Sequence, residues 1–163
     1  MIWNWTKVRE GAVIGEDTNI GQSAYIDFDT TIGARCKIQN GVSVYHGVSV
    51  GDDVFLGPNA TLTNDLVPRA HAADWTVTTT QICDGASIGA NATIVCGVTL
   101  GAHCMVAAGA VVTKDVPPHA LVMGAPARIV DYVTISGRRL NVETLDAPPG
   151  DNLLKDQPTE TFT

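Results

Sequence analysis

His46 and Asn64 stand eighteen residues apart, and Asp65 follows directly. An imidazole titrates near neutral pH, so it can take a proton from an amine under working conditions. A side-chain amide carbonyl can accept a hydrogen bond from the same amine and aim it, while a neighbouring carboxylate holds a polar substrate or orients the imidazole. For the three to share one ligand, the fold must bring residues eighteen apart together. A helix repeats near 3.6 residues and a half-buried strand near 2, so neither does this along one element.

A third period is present. Aliphatic residues recur every six positions at Val8, Ile14, Ile20, Ile26, Ile32, Ile38, Val44, Val50, Leu56 and Leu62, and again at Ile82, Ile88, Ile94, Leu100, Val106 and Val112. If each hexapeptide makes one short strand and one turn, three of them close an eighteen-residue circuit. Successive circuits then stack as parallel strands roughly 4.8 Å apart, each burying the face its neighbour cannot bury alone. His46 and Asn64 fall on the same corner of neighbouring circuits. Glycine follows the aliphatic residue at 15, 21, 33, 51, 57, 89 and 101, as tight turns would require. Trp3 and Trp5 are placed to cap the first circuit, whose open edge needs cover. Between Leu62 and Ile82 lie more residues than one hexapeptide supplies, so a loop leaves the coil near 68–81. It carries Arg69, His71, Asp74 and Trp75 beside the Asn64 corner.

The repeat resembles that of the hexapeptide-repeat acyltransferases, which implies an all-β, left-handed parallel β-helix. Spacing alone gives a three-sided coil of either hand. Gly109 to Pro118 and Gly124 to Val130 look like the closing sequence of acetyl-CoA-dependent members. The run Thr63-Asn64-Asp65, two residues, then Pro68-Arg69 resembles the N-acetyltransferases that modify 3-amino sugars linked to UDP or dTDP. The resemblance covers residues 8 to about 132 and departs at the tail; the histidine at 46 is not a residue to expect in every relative. It implies acetyl-CoA as cosubstrate, a nucleotide-linked amino sugar as acceptor, and a role in making surface polysaccharide sugars. A prism with flat faces offers little depth for two such ligands, so a homotrimer with active sites between subunits is expected. In this setting Asn64, His46 and Asp65 are the catalytic candidates, and Asn64, Asp65, Arg69 and His71 the substrate-binding ones. Turn chemistry would equally account for Asn64 and Asp65, and the departing CoA sulfur could take the proton instead of His46.

Both ligands carry phosphates, while the chain has a formal net charge of -7. That balance argues against a nucleic-acid binder, which needs a basic stripe, and requires placed cations. Lys114 and Arg128 are the candidates for the cofactor, with Ala107, Ala108 and Gly109 letting its arm run close to the backbone. Surface solvation and simple coil packing are the plain alternatives for these five. No metal is expected. A trimeric zinc enzyme of the carbonic anhydrase type would use His46, His71, His103 or His119, and their spacing does not suit it. Acetyl transfer to a hydroxyl or to another amine is the competing enzymatic reading.

Cys36 and Cys104 take the small inward position of the repeat, whereas Cys83 and Cys96 fall outward or in turns. The absence of a leader or an apolar run of membrane length points to a cytoplasmic protein. The coil domain is expected over 1–130 and a C-terminal extension over 131–163, flexible from about 147.

Overall fold

In a computed structural model of the chain, residues 1–72, 74–142 and 149–155 are described. Short strands wind into a left-handed parallel β-helix with sheets of six, five and seven strands. As far as Val111–Val112, consecutive strands go to different sheets and every third step returns to the first, so where no loop intervenes partners lie eighteen apart: Lys7 beside Tyr25, Thr31 beside Ser49, Lys37 beside Phe55. The usual right-handedness of parallel crossovers comes from packing a long connection back onto the sheet. Here the connections are corners of a few residues. At many corners one residue adopts the left-handed conformation, among them Asp17 (φ 57°), Ser23 (φ 59°), Asp29 (φ 51°) and Arg35 (φ 57°), six apart like the repeat itself.

This arrangement corrects the reason for the recurring glycines. The left-handed residue sits three positions after the aliphatic one, not directly after it. The glycine that follows the aliphatic residue is required by the next coil: a Cβ on Gly57 would stand 2.6 Å from the Ala90 backbone nitrogen. Close stacking of coils, rather than turn conformation, excludes a side chain there.

The aliphatic column forms the core. Ile20, Ile26, Ile38, Leu56, Leu62, Ile88 and Leu100 are within 1% of full burial, each contributing about 2 kcal/mol by leaving water. Because each coil touches only its neighbours, a lost methylene is felt locally. Ile88→Val should lower stability by about 1 kcal/mol, read as a shift in urea midpoint; an unchanged midpoint would mean the stack refills the space. The first coil is less covered, with Val8 at 36% exposure. The tryptophans do not cap it: Trp3 and Trp5 are 55% and 79% exposed, and Trp3 donates its indole N–H to Asn19 Oδ1 at 2.8 Å. Met1 to Trp3 instead run along the coil edge, bridging at Ile2 to Ile20.

At the other end, Ala120–Gly124 adds parallel to Met105–Val106, and Ala127–Tyr132 folds back on it antiparallel. Tyr132 and Val133 are buried, and Leu140 and Val142 pack against the core. Asp131, 1% exposed, ties the segment that follows: it accepts from Tyr132 N, Asn141 N, Val142 N and Arg139 Nε. Burial alone would raise its carboxyl, but these four bonds outweigh that and hold it below the ordinary aspartate range. A depressed folded value means stability that is present above the unfolded value and is lost as pH falls through the folded one. Asp131→Asn should therefore be less stable than wild type near neutrality, and the gap should narrow below about pH 4, where the carboxyl begins to protonate in the unfolded wild-type chain while the folded one is still ionised. Urea midpoints at several pH values test this; a gap that stays constant would remove the charge from the account. A four-residue helix, Asp151–Leu154, follows, with Ile135 N bonded to Leu154 O. Residues 143–148 and 156–163 of the expected tail lie outside the described residues.

Candidate active site

One corner, between the six-stranded and five-stranded sheets, gathers the chemistry. Phe28, His46 and Asn64 occupy it on three successive coils. The Asn64 side-chain N–H donates to the His46 carbonyl at 3.0 Å, leaving Asn64 Oδ1 without a donor among the described residues. His46 Nδ1 lies 3.0 Å from the Phe28 carbonyl oxygen. A carbonyl only accepts, so Nδ1 carries the hydrogen and the neutral ring has its lone pair at Nε2. The imidazole stacks on Phe28, with centroids 4.1 Å apart and planes 12° from parallel. The expected pairing of His46 with Asn64 is thus present, as a bond from side chain to backbone.

Sequence reasoning missed the support beneath it. Asp27, 6% exposed, accepts from His46 N, from Phe28 N, from the Tyr25 hydroxyl and from Arg9 Nη1. Arg9 also lies over the Phe28 ring, 4.9 Å from its centroid. The signal was available: Arg9, Asp27 and Tyr45 repeat at eighteen, as do Phe28, His46 and Asn64. Once a circuit length is known, every candidate has neighbours eighteen residues away.

The excursion leaves at this corner. Strands Thr61–Leu62 and Thr80–Ile82 bound it, and Thr78 N bonded to Asn64 O at 3.0 Å closes its neck. It therefore starts a few residues before the expected 68 and ends before 81, because Thr80 and Gln81 already pair with Val48 and Ser49. Its return limb passes over the position after His46: a Cβ on Gly47 would collide with Val77. The loop folds around a hollow of about 370 Å³ lined by Asp65, Arg69, Asp74 and Trp75 among others. Asp65 Oδ1 accepts from Val67 N at 2.8 Å, and Arg69 donates to the Pro68 carbonyl, so both have local turn partners. Asp65 makes no hydrogen bond to His46 among the described residues; the orienting contacts come from Phe28 and Asp27. His71 is exposed and does not line the hollow.

The five cofactor candidates divide between two places. Ala107 and Ala108 line an apolar groove of about 460 Å³ on the seven-stranded sheet, with Phe55, Met105, Leu121 and Arg139. Gly109 turns the next corner at φ 70°, and nothing lies within 4 Å of where its Cβ would be. Lys114 and Arg128 meet in a hollow of about 210 Å³ closed by Asp115 and Ala127. By the register of the six-stranded sheet, Lys114 continues the His46 and Asn64 column. Three rungs separate it from His46, roughly 14 Å at strand spacing.

The cysteines are all free. Cys36 and Cys104 are buried as expected, and burial pushes the Cys104 thiol up to about 12, which leaves it inert as a nucleophile. Cys96 lies at a bend, as expected for it, and is nevertheless only 3% exposed without joining the core cluster; Thr63 Oγ1 accepts its backbone N–H beside the loop neck. His103 and His119 pair on a different corner, with ring centroids 5.1 Å apart. Among the described residues no group of three or more His, Cys, Asp or Glu could hold a metal, and no helix is long and apolar enough to cross a membrane.

Comparisons with known proteins agree with the fold. The model of the bacterial transferase hexapeptide (six repeats) matches residues 29–64 and 79–114, and that of the hexapeptide repeat of succinyl-transferase matches 11–46. A hexapeptide-repeat-containing acetyltransferase of Vibrio cholerae O1 biovar eltor, solved with acetyl coenzyme A, is 31% identical; the match covers 76% of this chain and 71% of that one, with a TM-score of 0.58. Serine acetyltransferase 2 of Arabidopsis thaliana is 37% identical over 122 residues, covering 74% of this chain and 32% of the relative. A dTDP-3-amino-3,6-dideoxy-alpha-D-galactopyranose 3-N-acetyltransferase of Aneurinibacillus thermoaerophilus is 56% identical over a shorter stretch of 54 residues, 33% of this chain and 28% of the relative. The chain thus spans less than half the length of these curated relatives.

Proposed function

Since the chain belongs to the hexapeptide-repeat acetyltransferases, we propose that it moves an acetyl group from acetyl-CoA to the amino group of a UDP- or dTDP-linked 3-amino sugar. The observation that carries this reading is the Asn64 corner: an amide carbonyl and an imidazole nitrogen on adjacent coils, both without a partner among the described residues, at the neck of a loop containing Thr63-Asn64-Asp65 and Pro68-Arg69. The 56% identity to a 3-N-acetyltransferase over 54 residues supports the acceptor class.

In this mechanism the acceptor amine donates one N–H to Asn64 Oδ1, which turns its lone pair toward the thioester carbonyl. Nitrogen attacks carbon and the tetrahedral adduct collapses with loss of the C–S bond. His46 Nε2 takes the proton from the nascent ammonium and returns it to the departing thiolate, so an amide and a free thiol are the products. Lys114 and Arg128 meet phosphate at one end of the column, and the arm carrying the thioester runs along the coil toward His46. Ala107, Ala108 and Gly109 are open to such an arm on the adjoining face. Asp65, Arg69 and His71 are assigned to the sugar nucleotide. Each hollow of a single chain is small for two ligands of this size, so the working form is proposed to be a homotrimer with sites between subunits, acting in the cytoplasm in surface polysaccharide sugar synthesis.

A second reading, transfer to a hydroxyl, is favoured by the longer match to a serine acetyltransferase. One experiment separates the two. Free-thiol release from acetyl-CoA is followed with UDP- and dTDP-linked 3-amino sugars, 4-amino sugars, serine and a galactoside, and light scattering gives the mass under the same conditions. Turnover with a 3-amino sugar nucleotide by a particle of three chains is expected. Turnover with serine or a galactoside alone would overturn the acceptor assignment, and a monomer mass would overturn the shared site.

A further inference from the structure

We infer that Asp27 is a positioning residue for the transfer corner, fastening the turns that carry His46 and Phe28 so that Nε2 of the imidazole is the nitrogen presented to the amine. The inference rests on the reading of His46 as the proton acceptor. Its starting point is that one buried carboxylate holds both residues of the Nδ1–H···O=C bond. Asp27 Oδ1 accepts the Phe28 backbone N–H at 2.9 Å, and Oδ2 accepts the His46 backbone N–H at 3.2 Å. Releasing either turn would free the donor or the acceptor of the bond that fixes the tautomer.

The repeat does not call for a carboxylate at this place. On the same column, eighteen residues apart, the coil carries Arg9 below and Tyr45 above, and beyond the next rung Val95 and Thr113. A buried charge in a corner that tolerates an uncharged side chain is costly unless it is fully bonded. Here it is: the Tyr25 hydroxyl at 3.0 Å and Arg9 Nη1 at 2.9 Å supply the remaining donors. Burial pushes the carboxyl up, and the bonds from Phe28 N, His46 N, Tyr25 and Arg9 pull it down by more, so it remains a carboxylate at working pH. Arg9 reaches from the coil below and also covers the Phe28 ring, whose other partner is the imidazole. The groups facing Asp27 are therefore one cation, one phenol and two backbone N–H groups. All of them serve to immobilise the His46 turn.

The test reads the tautomer directly. Full-length protein labelled with 15N-histidine gives two-bond proton–nitrogen correlations that tell Nδ1–H from Nε2–H in each neutral ring, and His46 is assigned by its loss in His46→Asn. Wild type should show His46 as Nδ1–H. Asp27→Ala should move it toward Nε2–H and lower kcat about tenfold or more, with KM for acetyl-CoA within about twofold, thiol release being followed with a dTDP-linked 3-amino-3,6-dideoxyhexose. Asp27→Asn keeps the shape and one acceptor oxygen, so it should fall between the two, and it carries the test if Asp27→Ala fails to fold. Both variants retaining Nδ1–H would overturn the inference, as would a changed tautomer with unchanged kcat in an enzyme whose His46→Asn form is inactive. Wild-type kcat in His46→Asn would instead sink the base reading, and the tautomer arm still decides whether Asp27 positions the ring.

Discussion

Replacing His46 by asparagine is expected to lower kcat by about 10²-fold or more, within the range for losing a general base, and to erase the acidic limb of the pH–rate profile. The geometry makes the expectation specific. Nδ1–H is committed to the Phe28 carbonyl, so in the neutral ring Nε2 is the proton acceptor and nothing among the described residues occupies it. Stacking on Phe28 at 4.1 Å holds the ring in one plane. Proton transfer then needs no reorientation of the base, which is the condition under which a positioned imidazole outperforms water. Asparagine preserves much of the volume and leaves the backbone bonds to Asp27 and Asn64 in place, so a loss would report the proton step rather than a collapsed corner. The competing route gives the proton to the CoA sulfur, whose thiol pKa lies around 8.5 by analogy with free cysteine. That route predicts a small loss, and kcat near the wild-type level across the pH range would establish it. Steady-state kinetics from about pH 5.5 to 8.5 distinguish them.

The fold was legible because its signal is redundant. A six-residue period carried through ten aliphatic positions from Val8 to Leu62 fits a three-sided coil and neither a helix nor a simple strand, while its hand came only from the family resemblance. Errors arose where one signal had two causes. Glycine after the aliphatic residue fits a tight turn and a close coil contact equally well in sequence; only the neighbouring coil, with Ala90 N against Gly57, separates them. Trp3 and Trp5 looked like caps because large apolar residues at the end of a coil usually cover it. The chain instead runs along the edge through the Ile2 bridge, which turns both rings outward. The burial of Cys96 at its bend was not legible, because no periodic argument reaches across an excursion of arbitrary length.

The arrangement of the candidate site was legible in part for the same reason. His46 and Asn64 were paired from one subtraction, since one circuit is eighteen residues. Asp27 and Phe28 were not, because they act through bonds to and from backbone N–H and C=O groups, which residue type and spacing do not signal. The loop could be detected but its shape could not: its composition states that it leaves the coil, whereas the neck at Asn64 and Thr78 and the passage of Val77 over Gly47 depend on tertiary packing. Lys114 illustrates a gain in the opposite direction. Chosen for its motif, it falls on the His46 column by register, which gives it a distance as well as a charge.

Replacing Asn64 by alanine is expected to cost at least tenfold in kcat/KM, about 1.4 kcal/mol of transition-state stabilisation, whichever group accepts the proton. The side-chain N–H is tied to the His46 carbonyl at 3.0 Å, which fixes the amide plane, while the residue's backbone carbonyl accepts from Thr78 N at the loop neck and is unaffected by the substitution. The remaining oxygen is held with the amide plane and has no donor among the described residues, so an amine can supply one. An amine held there loses rotational freedom before attack, and that orientation is worth more than the single hydrogen bond that provides it. Alanine removes the oxygen and also frees the His46 carbonyl, so the comparison with Asn64→Asp is informative: aspartate keeps an acceptor for the amine but has no N–H for His46 O. If aiming the amine is the main contribution, Asn64→Asp should retain more activity than Asn64→Ala; if pinning the His46 turn is, the two should fall together. Circular dichroism and melting temperature would show that both remain folded, as expected for a half-buried corner residue outside the aliphatic column. A fully active Asn64→Ala enzyme would mean that the amine is bound elsewhere on the coil, and the assignment of this corner as the active site would have to be abandoned.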